Sequence, residues 1–406
     1  MIFSYYENDS QTLTSDTEAN LLKFKELINA LTEDEVVRWE TIKKTFQQNV
    51  KMRGVGADDK VGQVVVQLSS FSEGLESIRD AMAGVCRGNR SLERLLPVFD
   101  RTGVDSRYFV RPLDWYARGP SFEERNQVYA ECAVELGGQA VSACLEEAGV
   151  SPNEVDQFFF VTTTGLTTPS VDARLVPSLG MRPDVRRLPL FGLGCAGGAG
   201  ALIRATDALR AAPQGRALVL SVELCSLVVS PSAESGTDLV GVALFGDGAA
   251  AVLLTGDEVT QDGPQVVATQ THLFGEVPHL MGWRFTGAGM RLILSRDVPA
   301  FVAAGVKPAV ERFLEAQGVG LSDLRHHLLH PGGAKVMATY RSALGFDDEA
   351  VDGARAAMRE YGNQSSASVL FMLNDLVRSG RPVADELGFM IALGPGFAAE
   401  MLTLRW

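Results

Sequence analysis

RRLPLFGLGCAGGAGALIRATDALRA, residues 186–211, is the stretch on which the reading of the fold turns. Leu188 to Leu193 is a short apolar run and reads as a buried strand. Gly192, Gly194, Gly197, Gly198 and Gly200 crowd around Cys195, and AGGAGALIRATDALR after it reads as a helix. Cys195 is thereby placed on a tight strand-to-helix turn, at or just before a helix N-terminus. Free backbone N–H groups and the helix dipole favour an anion there. A thiolate is such an anion, so a lowered Cys195 pKa is expected. The glycines allow close approach to the backbone. A small buried residue at a packed turn is the competing reading.

The chain has 406 residues, enough for one large core or two fused domains. A net charge of −13 argues against nucleic acid and acidic membrane surfaces as general partners. An anionic substrate would need a local basic patch. The five cysteines, Cys86, Cys132, Cys144, Cys195 and Cys225, form no CxxC and no Cys/His metal spacing, so no metal is expected. Their odd number, with a start (MIFSYYENDS) that lacks a basic n-region and an apolar h-region, implies a reducing cytoplasm. No apolar run reaches transmembrane length, and no integral membrane contact is expected.

Residues 1–60 differ in character from the rest of the chain and read as a helical N-terminal arm. Ser15-Asp16-Thr17-Glu18 and Thr32-Glu33-Asp34-Glu35 have the form of capping boxes. Leu21, Phe24, Ile28 and Leu31, then Trp39, Ile42, Phe46 and Val50, fall at helical spacing. Lys51 to Gly62 is polar and reads as a linker. From Gly62 the chain alternates. Val64–Leu68, Gln157–Val161 and Arg216–Val222 read as strands; Leu75–Val98 and Asn126–Gly149 read as helical. That alternation predicts an α/β layered fold.

The chain also repeats itself. FGDGAAAVLLT (Phe245–Thr255) lies on LGPGFAAEMLT (Leu393–Thr403), both reading Gly-x-Gly-x-Ala-Ala-x-x-Leu-Thr. QFFFVTTTG matches HHLLHPGGA, and the LGCAGGAGAL turn has a counterpart in YGNQSSASVL, in the same order along the chain. The repeat implies two halves of similar topology, 61–256 and 257–406, related by a pseudo-two-fold axis. Cys195 and Asn363 then occupy equivalent helix N-termini, and Thr163 and His330 equivalent loops, so that four polar groups converge. Singly, His330 reads as a structural histidine after a strand, and Asn363 as an N-cap. The repeat brings them to Cys195, which the separate readings do not predict.

Residues from about 62 to 406 resemble the type III polyketide synthases, the chalcone-synthase-like family. The resemblance rests on Cys195 in GLGCAGG, Phe245 in ALFGDGAAA, His330 in HPGG, Asn363 and Ser365 in YGNQSS, and Gly394-Pro395-Gly396. It implies a thiolase-like five-layered αβαβα fold, a homodimer, and Cys195, His330 and Asn363 as catalytic residues. The implied substrates are malonyl-CoA and acyl-CoA, with no cofactor. In the implied chemistry Cys195, paired with protonated His330, takes the acyl group. His330 and the Asn363 amide stabilise the enolate left when malonyl-CoA loses carbon dioxide. Phe245 separates the CoA tunnel from the cavity, and Thr163, Cys225, Leu292 and Ser365 line that cavity. Arg94 and Arg101 fall at two of the family's three basic CoA positions, with Pro97 at the third. Thr168 falls where a partner-chain residue enters the cavity.

The departures bear on the product. Ala392 and Leu393 replace a Gly and a Phe, Leu292 stands where plant members carry a second gatekeeping Phe, and Cys225 replaces a cavity Thr. Val228 and Val229 are expected to add apolar surface beside Cys225. These replacements predict an aliphatic starter and alkylpyrone or alkylresorcinol products. The alternatives are a malonyl-CoA-only tetrahydroxynaphthalene-type synthase and a single-step ketoacyl-thioester synthase. A non-catalytic partner subunit is disfavoured because Cys195, His330 and Asn363 are all retained.

Overall fold

A computed structural model describes residues 60–406, except 230–234, 260, 276 and 288. The described residues all belong to a unit that begins at Ala57. The two helices and most of the linker expected for the N-terminal arm lie outside the described residues; the linker's last three residues, Lys60, Val61 and Gly62, are not a linker but the start of a strand.

The first half opens with β1 (Lys60–Leu68), β2 (Phe71–Gly74), α1 (Leu75–Cys86), α2 (Arg90–Glu93), β3 (Ser106–Phe109) and α3 (Leu113–Ala117). It continues with α4 (Phe122–Ala148), β4 (Gln157–Thr162), α5 (Val171–Ser178), β5 (Arg186–Phe191), α6 (Gly197–Arg210), β6 (Arg216–Leu224), α7 (Gly236–Leu244) and β7 (Asp247–Thr255). The second half holds β8 (Gln265–Leu273), the hairpin β9 (Met281–Thr286) and β10 (Gly289–Leu294), and α8 (Val298–Glu315). It ends with β11 (Leu324–Leu329), α9 (Ala334–Leu344), α10 (Asp352–Tyr361), α11 (Ser368–Arg378), β12 (Leu387–Gly394) and β13 (Ala398–Arg405).

Among the described residues the main sheet runs β11-β12-β13-β8-β1-β7-β6-β4-β5. The run β4-β6-β7-β1 pairs parallel, antiparallel, antiparallel, and β11-β12-β13-β8 repeats that pattern. The halves are therefore topologically similar, and they join at a seam of one residue pair, Lys60 with Gln265. Side chains on successive strand residues point to opposite faces. Phe158, Phe160, Leu218, Leu220 and Val222 thus enter an outer core with α4, while Phe159, Val161, Ala217 and Val219 enter a central core with α6 and α11. In the second half Met390 and Leu402 join the central core, and Phe389, Ile391 and Met401 pack outward with α8 and α9. Helix, sheet, paired helices, sheet and helix make the five layers of a thiolase-like α/β fold.

Local chemistry sets the helix bounds. The long helix starts a turn before the expected Asn126 because the Ser121 side chain accepts from Glu124 N at 3.1 Å. It stops at Gly149, in the left-handed region at φ 65°. The single helix expected over Leu75–Val98 is broken at Gly88 (φ 88°), after which Asn89 caps a new turn. The strand before Cys195 departs from expectation. It spans Arg186–Phe191, is the last strand of the sheet and pairs only with β4. Leu188 and Phe191 are 44% and 48% exposed. Leu188 and Phe191 sit exposed at this edge, while Leu190 is half-buried against the central core.

Candidate active site

Cys195 lies in a single turn, Gly194–Ala196, that runs directly into α6. The turn is possible only with glycine. Gly194 holds φ 52°, and a Cβ there would meet Pro395 Cδ at 2.3 Å. A Cβ on Gly198 would meet Ser366 O at 2.1 Å, and one on Gly394 would meet Leu193 O at 2.2 Å. These close approaches dock the cysteine turn of one half onto the Gly394-Pro395 and Ser365-Ser366 turns of the other.

Asn363 follows α10 and precedes α11. Its backbone is tied to the Phe245 strand end by Asn363 N→Leu244 O (2.8 Å) and Gly246 N→Asn363 O (3.0 Å). Its Oδ1 accepts from Ser365 N at 2.8 Å and from Ser368 Oγ at 3.4 Å. The carbonyl end of the amide thus caps the turn at Ser365, ahead of α11, and the Nδ2 end is left for the cavity that Asn363 lines. The same cap holds Ser365 at φ 51°, a strained conformation for a non-glycine residue. His330 follows β11 directly, fixed by His330 N→Ile391 O at 2.9 Å, and is buried. Neither ring nitrogen has a hydrogen-bond partner among the described residues.

These groups surround one cavity of about 730 Å³. Cys195, His330, Asn363, Thr163, Ser365, Cys225, Phe245, Leu292, Pro395, Arg94 and Arg101 all line it. Gly394 and Gly396 do not: Gly394 packs beneath the cysteine turn, and Gly396 makes the turn after it at φ 78°. Thr168 also lies outside the cavity of its own chain and is exposed. Val228 and Val229 are buried away from this cavity, and Val229 packs on Gly241 and lines a separate space of about 70 Å³. They add nothing to its apolar wall. Among the described residues no group of three or more His, Cys, Asp or Glu side chains is placed to hold a metal, and no helix is long and apolar enough to cross a membrane.

The electrostatics reverse one expectation. Burial pushes the Cys195 thiol up to about 12, opposed by a hydrogen bond from Ser365. Burial draws the His330 imidazole down to about 4. Taken one at a time, both groups stay neutral at physiological pH. The helix N-terminus is outweighed by the loss of water. Passing one proton from thiol to imidazole leaves the net charge of the cavity unchanged, and α6 favours the resulting thiolate. These directions do not favour a standing thiolate–imidazolium pair in the cavity.

Several neighbours escaped the sequence reading. Glu223 is buried at the end of β6 and accepts from Thr163 N (3.0 Å), Thr163 Oγ1 (3.0 Å), Thr164 Oγ1 (2.8 Å) and Ser366 Oγ. It ties the Thr163 loop of one half to the Ser366 turn of the other. The signal was there: Ser221 and Glu223 are polar residues at alternate positions of an apolar strand. Arg107, 0% exposed, donates to the carbonyls of Val242 and of Phe245 (2.8 Å), and so anchors the backbone that carries Phe245. Asp247 accepts from Val110 N and Ser226 N, and burial lifts its carboxyl to about 7. Arg296 and Lys335 join Arg94 and Arg101 in the cavity lining, and none of the four has an ion-pair partner among the described residues. In a chain of net charge −13 they form the local basic patch that an anionic substrate requires.

Two halves of one sheet with matching topology, and a cysteine at a helix N-terminus, place the chain in the thiolase-like class. Within that class, the profile for the N-terminal domain of chalcone and stilbene synthases matches residues 113–258, and the profile for their C-terminal domain matches residues 265–406. A 1,3,6,8-tetrahydroxynaphthalene synthase of Streptomyces peucetius subsp. caesius is 39% identical over 307 residues, 75% of this chain and 81% of the relative. A provisionally named chalcone synthase of Bacillus subtilis (strain 168) is 38% identical over 328 residues, 78% of this chain and 90% of the relative. The solved 1,3,6,8-tetrahydroxynaphthalene synthase of Streptomyces coelicolor A3(2), a bacterial type III polyketide synthase, superposes with a TM-score of 0.82. It is 28% identical, with 86% of this chain and 99% of that one covered. The chain belongs to the chalcone and stilbene synthase family: it is a type III polyketide synthase, an acyltransferase.

Proposed function

We propose that this enzyme condenses an aliphatic acyl-CoA starter with malonyl-CoA by repeated decarboxylative condensation and cyclises the chain to alkylpyrone or alkylresorcinol products. Cys195 Sγ attacks the starter thioester as His330 takes its proton, and CoA leaves as the thiol with that proton. Malonyl-CoA then loses carbon dioxide. His330 and Asn363 Nδ2 donate to the enolate oxygen, and the enolate carbon attacks the acyl group on Cys195. Arg94, Arg101, Arg296 and Lys335 face the CoA phosphates. Sustaining the aliphatic starter is the cavity wall itself: Val240, Leu244, Leu292 and Leu393 share it with Cys225. Each methylene buried there gains about 0.8 kcal/mol. The malonyl-only reading has its own support in the relatives named tetrahydroxynaphthalene synthase. A panel of acyl-CoAs with labelled malonyl-CoA decides between them. Faster conversion of malonyl-CoA alone to an aromatic pentaketide than of any acyl-CoA would overturn the aliphatic reading.

Cys225→Phe fills the same wall with a ring. Long starters are expected to lose about tenfold or more in kcat/KM, the loss of a few buried methylenes, while malonyl decarboxylation stays within about twofold. Equal loss with short and long starters would show that Cys225 does not line the starter site.

The β5 edge supports a homodimer. Leu188, Phe191 and Leu166 (40% exposed) give it an apolar surface beside the exposed Thr168 loop. Light scattering should give twice 43.7 kDa for the native chain. Phe191→Glu should shift it toward monomer and lower turnover, because Thr168 then no longer reaches the partner's cavity. A native chain that runs as a monomer at full activity removes this reading.

A further inference from the structure

Helix α9 begins four residues after His330 and turns Met337, Tyr340 and Leu344 inward, the spacing of one helical face. The Tyr340 ring packs in the outer core of the second half with Phe389, Leu393 and Phe397. Tyr340 is 0% exposed, yet it forms part of the wall of the 730 Å³ cavity. Its hydroxyl has no hydrogen-bond partner among the described residues. A buried hydroxyl left without a partner is costly. It shares this wall with the two unpartnered His330 ring nitrogens, whereas several other polar groups in and behind the wall are engaged. The Asn363 carbonyl caps Ser365, Glu223 accepts four bonds, and Thr163 is bonded to Glu223. Burial keeps the phenol protonated, a standing donor on the same cavity wall as Cys195.

We infer that the Tyr340 hydroxyl donates a hydrogen bond to a carbonyl oxygen of the chain carried on Cys195. A growing polyketone has a carbonyl at every second carbon, whereas an alkyl starter has only its thioester. The donor therefore favours the extended β-ketoacyl chain over the starter and holds it through further rounds. This inference rests on the reading of Cys195 as the acyl carrier.

Tyr340→Phe removes the hydroxyl and keeps the ring. Acyl loading on Cys195, followed by intact mass, is expected to stay within about twofold of the native enzyme. Extension beyond the diketide is expected to fall about tenfold, the worth of one hydrogen bond, with products shifted to shorter lactones. A merely structural role would not change product length. In the native enzyme, Cys195 occupancy should be several-fold higher with a β-ketoacyl-CoA than with an alkanoyl-CoA of equal length. An unchanged product distribution in Tyr340→Phe, equal loss of loading and extension, or equal occupancy by the two probes would each overturn the inference. Failure of native Cys195 to load at all would instead remove the acyl-carrier reading beneath it.

Discussion

Cys195→Ala is expected to give a folded protein that takes up no acyl group and has lost turnover by a factor on the order of 10⁴ or more, the usual cost of deleting a covalent nucleophile. Five cysteines are present and two of them line the cavity, so the choice of Cys195 needs a physical reason. Burial pushes up both cavity thiols. At Cys225 the charges of Glu223, Asp247 and Cys195 raise it further. Glu223 also raises Cys195, but there the Ser365 hydroxyl stabilises the thiolate, and α6 starts at the residue after the turn. Cys144 is buried against β1, its Sγ 3.7 Å from Gln63 O, and lies outside the cavity. Decarboxylation of malonyl-CoA should persist in the variant, since His330 and Asn363 remain. Intact-mass analysis with acyl-CoA and carbon dioxide release measure the two halves of this expectation. An acyl adduct on Cys225 or Cys144 in the variant would move the nucleophile elsewhere.

The parts of the site that were legible in the sequence are those imposed by local backbone geometry. Gly194 must hold a positive φ beneath Pro395, Asn363 must cap its own turn through Ser365, and His330 follows a short apolar strand. Each leaves a mark within a few residues. The layered fold was legible from the same source, because the alternation of strand faces and the repeated Gly-x-Gly-x-Ala-Ala run are written along the chain. What stayed hidden depends on partners far away in sequence. Arg107 serves a carbonyl 138 positions on, and Glu223 gathers donors 60 and 143 positions distant. The apolar run before Cys195 could not say whether a neighbouring strand covers it, and it proved to be the sheet edge. The direction of the Cys195 pKa was missed for a related reason: the helix N-terminus is local, whereas the burial that outweighs it is supplied by both halves together.

Asn363→Ala is expected to slow malonyl decarboxylation by about 10²–10³-fold, the cost of one preorganised donor to a developing oxyanion. Acyl loading should fall by less than about tenfold, because the amide faces the enolate and not the Cys195 sulfur. Alanine also removes the Oδ1 acceptor that holds Ser365 N, so by itself it mixes two effects. Asn363→Asp separates them. The carboxylate keeps an acceptor for Ser365 N and Ser368 Oγ but offers no donor, and its charge repels the enolate. If donation is the function, aspartate should be as slow as alanine in carbon dioxide release while recovering the thermal stability that alanine loses. If capping is the function, aspartate should restore decarboxylation along with the fold. Carbon dioxide release, acyl-enzyme formation and a melting curve on the two variants distinguish the outcomes. The first is expected because one end of the amide is already bonded to the protein and the other lies on the cavity wall.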